Sequence, residues 1–206
     1  MTRLFARAAI LAVCSLIAVT VWAAFSSRSG DPFAKCRSSQ VSGGPGSIGG
    51  PFTLVDQTGA TVTEAQVLDQ PALVYFGYTY CPDVCPLDMA RNVEAVDILE
   101  ERGIDVKPVF ISVDPRRDTP EQLASFAENL HPRMVALSGT DEQVRNAAAA
   151  YKAYFKVNEG EPDSYLVDHS TFTYLMMPGT GFVDFFRREA TADDIADAVS
   201  CFAEAA

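Results

Sequence analysis

The segment Ala72–Arg91, ALVYFGYTYCPDVCPLDMAR, constrains this chain more than any other. It opens with the apolar, β-branched and aromatic run Leu73-Val74-Tyr75-Phe76, which predicts a buried strand ending at Gly77. Leu87, Met89, Ala90, Val93, Val96 and Leu99 then recur at helical spacing. Pro86 suits the first turn of that helix, where a missing N–H costs nothing. Cys81 and Cys85 therefore fall where a strand hands over to a helix N-terminus. Unpaired N–H groups and the positive end of the helix dipole stabilise a thiolate there, so both sulfurs are expected to be nucleophilic and ready to take a soft metal.

Three residues separate these cysteines, where thiol oxidoreductases of the thioredoxin type usually have two. In a continuous helix they would be i, i+4 neighbours with Cβ atoms about 5–6 Å apart, long for a disulfide that wants about 3.5–4.5 Å. A metal ion with bonds of about 2.3 Å to each sulfur spans that gap. Pro82 and Asp83 bend the loop, so a reversible disulfide stays open beside the metal.

With 206 residues, 48% of them hydrophobic, the chain has room for one well-buried domain and an appendage. The appendage comes first. Ala8–Phe25 is an uninterrupted apolar run behind Arg3 and Arg7, with Trp22 near its far end and Ser26-Ser27-Arg28-Ser29 after it. It predicts a single transmembrane helix over 8–25, with residues 1–7 in the cytoplasm. A cleaved signal peptide ending near Ala23-Ala24 is the rival reading, and both export the remainder. An anchor so close to Met1, with no presequence before it, points to a bacterial inner membrane and a periplasmic domain. Cys14 is read as a membrane residue. Leaving out Arg3 and Arg7 takes the formal charge from −11 to −13, which argues against nucleic acid or an anionic membrane surface as a partner.

Residues 26–50 read as a linker, rich in Gly and Ser from Ser38 on, before a domain over 51–206. That domain is expected to begin with a β-hairpin turning at Asp56–Gly59, and then to alternate. A strand at 72–76 leads to a helix over about 86–102. A strand at Val106–Val113 leads to a helix capped by Asp118-Thr119-Pro120-Glu121, and a strand near 134–137 to a helix over 141–154. A second hairpin, 172–176 with 181–186, and a last helix from Thr191 to Ala203 close the pattern. This order predicts an α/β, thioredoxin-like fold with an added N-terminal β-hairpin.

In an oxidising compartment an unpaired exposed cysteine is a liability, so Cys36 and Cys201 are expected to form a structural disulfide, two unrelated thiols being the alternative. His131, before Pro132 at a helix end, reads as a surface cap residue. His169, in Val167-Asp168-His169-Ser170, precedes a predicted buried strand, and in a thioredoxin-like sheet that loop faces the cysteine-bearing helix N-terminus. Two thiolates and one imidazole form a competent copper site.

Tyr75-Phe76-Gly77-Tyr78-Thr79-Tyr80-Cys81-Pro82-Asp83-Val84-Cys85-Pro86, Ser112-Val113-Asp114-Pro115-Arg116-Arg117-Asp118-Thr119-Pro120 and Asp168-His169-Ser170, in that order, resemble the Sco/SenC family over about Gly50 to Ala203. These are membrane-anchored copper proteins that assist cytochrome c oxidase assembly. The resemblance implies one copper, Cu(I) or Cu(II), held by Cys81, Cys85 and His169, with the same cysteines able to cycle between dithiol and disulfide. It implies delivery to the binuclear copper centre of cytochrome c oxidase subunit II, and a periplasmic copper donor or thiol reductant upstream. It also puts His169-Ser170 where thioredoxins place a cis-proline. Within it, Asp168 is read equally as a partner orienting His169 and as an ordinary loop acid, and Asp83 as shaping the loop or meeting a partner. Asp114-Pro115-Arg116 and Asp118-Thr119-Pro120 read as turn and cap. Tyr151–Tyr165 reads as an added hairpin whose aromatics dock the oxidase or lie solvated.

Three other functions fit the same residues. A thiol–disulfide oxidoreductase needs Cys81 and Cys85 but not His169. A peroxidase of the peroxiredoxin kind is suited by Thr79 but lacks an evident arginine where His169 sits. A redox or copper sensor is compatible with all three ligands.

Overall fold

The computed structural model describes residues 12–22, 31–161 and 164–206. The chain divides between Lys35 and Cys36 into two units. In the first, residues 12–22 form helix α1 with all of its side chains exposed. No helix among the described residues is long and apolar enough to cross a membrane. The remainder of the expected anchor, 8–11 and 23–25, lies outside the described residues, as do residues 1–7.

The second unit is built on a seven-stranded sheet. Its chain order gives β1 (Thr53–Asp56), β2 (Thr61–Thr63), α2 (Glu64–Val67), β3 (Ala72–Gly77), α3 (Val84–Glu101), β4 (Lys107–Ser112) and α4 (Pro120–Leu130). Then follow β5 (Val135–Ser138), α5 (Asp141–Ala150), β6 (Phe155–Val157), β7 (Val167–His169), β8 (Thr173–Met177), β9 (Gly181–Phe186) and α6 (Ala192–Ala205). The sheet runs β2-β1-β5-β4-β3-β8-β9, while β6 and β7 pair separately. β3 lies between parallel β4 and antiparallel β8 and is buried along its whole length, which is why it reads as an unbroken apolar run. Tyr75, Phe76, Phe110, Leu73 and Ile111 are among its fully covered side chains and those of β4, each contributing about 1.5–3 kcal/mol or more by burial. Helices α3 and α6 pack on one another, and α4 lies along β5 and β1.

The expected thioredoxin-like α/β pattern is present, with five local differences. Helix α2 is an addition, started by a capping box in which the Thr63 backbone and hydroxyl meet Gln66. Helix α3 begins two residues early, at Val84, so Cys85 sits inside its first turn and Cys81 outside it. Helix α5 stops at Ala150 rather than 154, because the chain passes through a left-handed residue at Lys152 (φ 55°) while the Tyr151 ring is fully buried. His131 does end α4 but is buried rather than on the surface. Its Nδ1 accepts the Arg133 N–H at 3.1 Å and its Nε2 faces Asp97 at 3.3 Å.

The fifth difference is the stretch read as a linker. Asp184 on β9 is completely buried, and a buried carboxylate needs donors. The Ser38 N–H (2.9 Å) and hydroxyl (3.2 Å) and the Ser39 hydroxyl supply them, while Arg37 Nε donates to the Val183 carbonyl at 3.0 Å. Farther on, the Gly49 N–H donates to the Ala150 carbonyl at 3.0 Å. Residues 36–50 are thus part of the domain. Cys36 is disulfide-bonded to Cys201 of α6, with Cα atoms 5.7 Å apart across a sequence separation of 165.

Candidate metal centre

Strand register decides which loops meet. Gly77 pairs with Ser112 in the parallel β3–β4 ladder, and Tyr75 pairs with Thr173 in the antiparallel β3–β8 ladder. The chain leaving β3, the chain leaving β4 and the chain entering β8 therefore share one edge of the sheet. The first carries Cys81 and Cys85; the last is hairpin β6–β7, ending on His169. The segment 151–165, read as an added hairpin beside the site, contributes β6 as the partner of the histidine strand, with Phe155 opposite His169 and Val157 opposite Val167.

Sγ of Cys81, Sγ of Cys85 and a ring nitrogen of His169 all lie within 4.8 Å of one another. Cys85 Sγ is 3.3 Å from His169 Nε2. Both cysteines are free thiols, 7% and 1% exposed, and the histidine is half-buried. His169 Nδ1 lies 2.9 Å from the Ser170 carbonyl oxygen. A carbonyl only accepts, so Nδ1 carries the hydrogen and Nε2 turns its lone pair toward Cys85. The ring is oriented by backbone and not by Asp168, whose carboxylate takes a 2.9 Å hydrogen bond from Asn158 on the outer face of the hairpin. Alternation along β7 explains this, because neighbours on a strand face opposite ways. Tyr75 and Tyr78 close around the imidazole edge-on, with centroids 6.1 and 5.8 Å away.

The two sulfurs differ electrostatically. Burial pushes the Cys81 thiol up, but the Cys85, Asp83 and Val84 N–H groups and the Cys85 side chain outweigh it and leave it below its ordinary value. Those N–H groups are the unpaired donors of the α3 N-terminus. Cys85 goes the other way: burial raises it strongly, and the neighbouring Cys81 adds to that despite the Tyr78 N–H. Burial also lowers His169, keeping the imidazole neutral. Below Cys85, the Tyr75 hydroxyl donates to buried Asp88 at 2.9 Å, and Arg188 Nε reaches the other Asp88 oxygen at 3.3 Å. Gly77 makes room for the whole arrangement, since a Cβ there would stand 2.8 Å from Cys85 Sγ and 2.9 Å from the Tyr75 and Phe110 rings. Asp83 is exposed at the N-cap and makes no side-chain cap bond.

The loop between β4 and α4 does more than turn and cap. Thr119 is the cap of α4; Asp118 is fully buried and holds the cysteine loop instead. It accepts from the Thr79 N–H (3.1 Å), the Thr79 hydroxyl (2.6 Å) and the Ser112 hydroxyl (2.5 Å). Asp114 accepts from Arg117 Nε (2.5 Å) and from the Tyr165 hydroxyl (2.6 Å). Sequence reasoning missed these residues because their partners lie far along the chain, although the close spacing of two acids and two arginines over 114–118 marks a polar knot.

The donor set suits a soft ion: two thiols, one of them already inclined to ionise, and an imidazole nitrogen with its lone pair free. Bonds of about 2.0–2.3 Å from one ion reach separations of this size. A second cluster among the described residues, Asp97, Glu100 and His131, does not suit one. There His131 Nδ1 is taken by the Arg133 N–H, so Nε2 carries the proton, and Glu100 is paired with Arg133 at 3.0 Å.

Comparison with known proteins places this site in context. The sequence model of the SCO1/SenC family matches residues 40–204. Protein SenC of Rhodobacter capsulatus is 51% identical over 97% of this chain and 90% of its own. The crystal structure of Arabidopsis thaliana ScoI with copper bound is 40% identical and superposes with a TM-score of 0.73, covering 76% of this chain and 99% of that one. BsSco, a member of the Sco family of cytochrome c oxidase assembly proteins with an identified disulfide switch, is 28% identical with a TM-score of 0.60, covering 76% of this chain and 94% of that one. With four-fifths of its length matched by the family and half its residues shared with SenC, the chain belongs to the SCO1/SenC family.

Proposed function

We propose that this chain is a membrane-anchored copper metallochaperone, which holds one copper between Cys81, Cys85 and His169 and passes it to the binuclear copper centre of cytochrome c oxidase subunit II. The observation that carries this is the 3.3 Å approach of His169 Nε2 to Cys85 Sγ, with Cys81 Sγ in the same cluster. An oxidoreductase needs no imidazole lone pair there. Thiolates favour Cu(I), and the histidine admits Cu(II). Loading releases the thiol protons, and unloading proceeds by ligand exchange, for which the less buried Cys81 is the accessible end. The exposed side chains of Tyr80, Leu87 and Tyr154 offer apolar contact for the acceptor. Residues 8–25 supply the anchor of a single-pass protein of a bacterial inner membrane, with the domain in the periplasm. A copper donor or thiol reductant of that compartment stands upstream.

The asymmetry of the thiols supports a second activity at the same residues. The Cys81 thiolate attacks an acceptor disulfide and forms a mixed disulfide, expelling one acceptor thiolate. Cys85 then gives up its proton and attacks Cys81, releasing the second. The acceptor gains two electrons and this chain keeps the Cys81–Cys85 disulfide.

Copper stoichiometry on the reduced full chain in detergent tests the reading. One copper per chain is expected, abolished in Cys81→Ser/Cys85→Ser and weakened with an altered spectrum in His169→Ala. Copper binding that is absent, or indifferent to His169 while disulfide exchange persists, would leave a reductase.

A further inference from the structure

His169 and the two cysteines reach the site on different loops, so something must fix the distance between those loops. Arg117 touches all of them. Its cationic carbon stands 3.7 Å over the Tyr165 ring, from the hairpin that carries His169, and 5.0 and 5.6 Å from Tyr80 and Tyr78 of the cysteine loop. Its Nε is bound to Asp114 at 2.5 Å, and Asp114 in turn receives the Tyr165 hydroxyl at 2.6 Å. The side chain is only 9% exposed, and Nη2 has no hydrogen-bond partner among the described residues, so that edge of the guanidinium faces the surrounding rings. The cysteine loop has an independent hold on the same β4–α4 loop through Asp118 and Thr79.

We propose that Arg117 is a positioning residue that holds hairpin β6–β7, and His169 with it, against the cysteine loop, and so determines whether the site offers two donors or three. Two buried acids divide the work. Asp118 fixes the thiols; Asp114, through Arg117 and Tyr165, fixes the imidazole. Loosening the second hold while keeping the first leaves a two-thiolate site. Such a site retains Cu(I), which soft sulfur selects, and loses the nitrogen that Cu(II) needs. Arg117 thus sets the copper oxidation states that the site accepts. Lysine is no substitute, because it has neither the planar face for stacking nor the forked donors.

The inference rests on the copper reading for its metal arm and on geometry alone for its mobility arm. The test uses the full chain in detergent, reduced and anaerobic, as wild type, Arg117→Lys, Tyr165→Leu and His169→Ala. Each is titrated separately with Cu(I) and Cu(II), and amide hydrogen exchange is followed in β7 and α3. In both clamp variants Cu(II) affinity is expected to fall roughly 10- to 100-fold, as in His169→Ala, with Cu(I) affinity and disulfide-exchange rate nearly unchanged. The β7 amides are expected to exchange faster and those of α3 not. Cu(II) binding at the wild-type level in both variants overturns the proposal, and so does joint loss of Cu(I) and Cu(II) with faster exchange in α3. Should the wild type bind no copper, the chaperone reading fails. Exchange in β7 then decides alone, faster exchange supporting the clamp and unchanged exchange in both variants overturning it.

Discussion

At the scale of single residues the site is controlled as much by a missing side chain as by those present. Gly77 ends β3 under Cys85, Tyr75 and Phe110, all of which a methyl group would meet at 2.8–2.9 Å. None of them can retreat without disturbing the buried Tyr75–Asp88 hydrogen bond or the sheet core. Gly77→Ala is therefore expected to cost about 1–3 kcal/mol, seen as a lower urea midpoint, and to displace Cys85 enough to weaken copper binding. His169 makes a prediction about acid. Burial lowers its pKa from the unfolded reference of 6.5, so the unfolded chain takes up the proton first. The resulting stability is complete above that value and declines as the pH falls below it toward the folded pKa. Urea midpoints of the metal-free protein between pH 7.5 and 5 are expected to drop more steeply for wild type than for His169→Gln. Equal slopes would remove the histidine from the account. The place of the histidine beside the two cysteines was legible from its motif, whereas its orienting partner was not, since a backbone carbonyl leaves no mark in the sequence.

Among the elements, the ones that were easiest to read are those whose pattern is local. β3 is a continuous apolar run, Met89, Val93, Val96 and Leu99 recur along the buried face of α3, and the Thr119 and Thr191 caps sit immediately before their helices. The polar segment 151–165 was harder, because a three-residue strand carries too little periodicity to show what it pairs with. The stretch 36–50 misled for another reason: its Gly and Ser content describes a flexible chain, and the acid that fixes it lies at Asp184, 145 residues away from Ser39. Its disulfide closes a loop of 165 residues. Removing it in Cys36→Ser/Cys201→Ser is expected to cost about 2–4 kcal/mol in thermal or urea unfolding, with copper stoichiometry unchanged. A loss of copper binding in that variant would tie the bridge to the site.

Over the whole molecule, the two cysteine pairs have separate tasks: one is joined across the start and end of the domain, the other is kept as a dithiol at the edge of the sheet. The order of three motifs along the chain was enough to predict which residues gather there. It did not reveal the third loop that holds them, since Asp118–Thr79 and Asp114–Tyr165 join positions 39 and 51 residues apart. The link between His169 Nδ1 and the Ser170 carbonyl has a kinetic meaning as well. A carbonyl does not titrate in the physiological range and moves only if the hairpin moves, so the imidazole faces the sulfurs before any ion arrives and after it leaves. Little backbone rearrangement is then expected between the loaded and unloaded forms. A protein that must give up its cargo as readily as it takes it is served by that low reorganisation, because the barrier to exit carries no refolding step and the direction of transfer is left to the acceptor's own ligands.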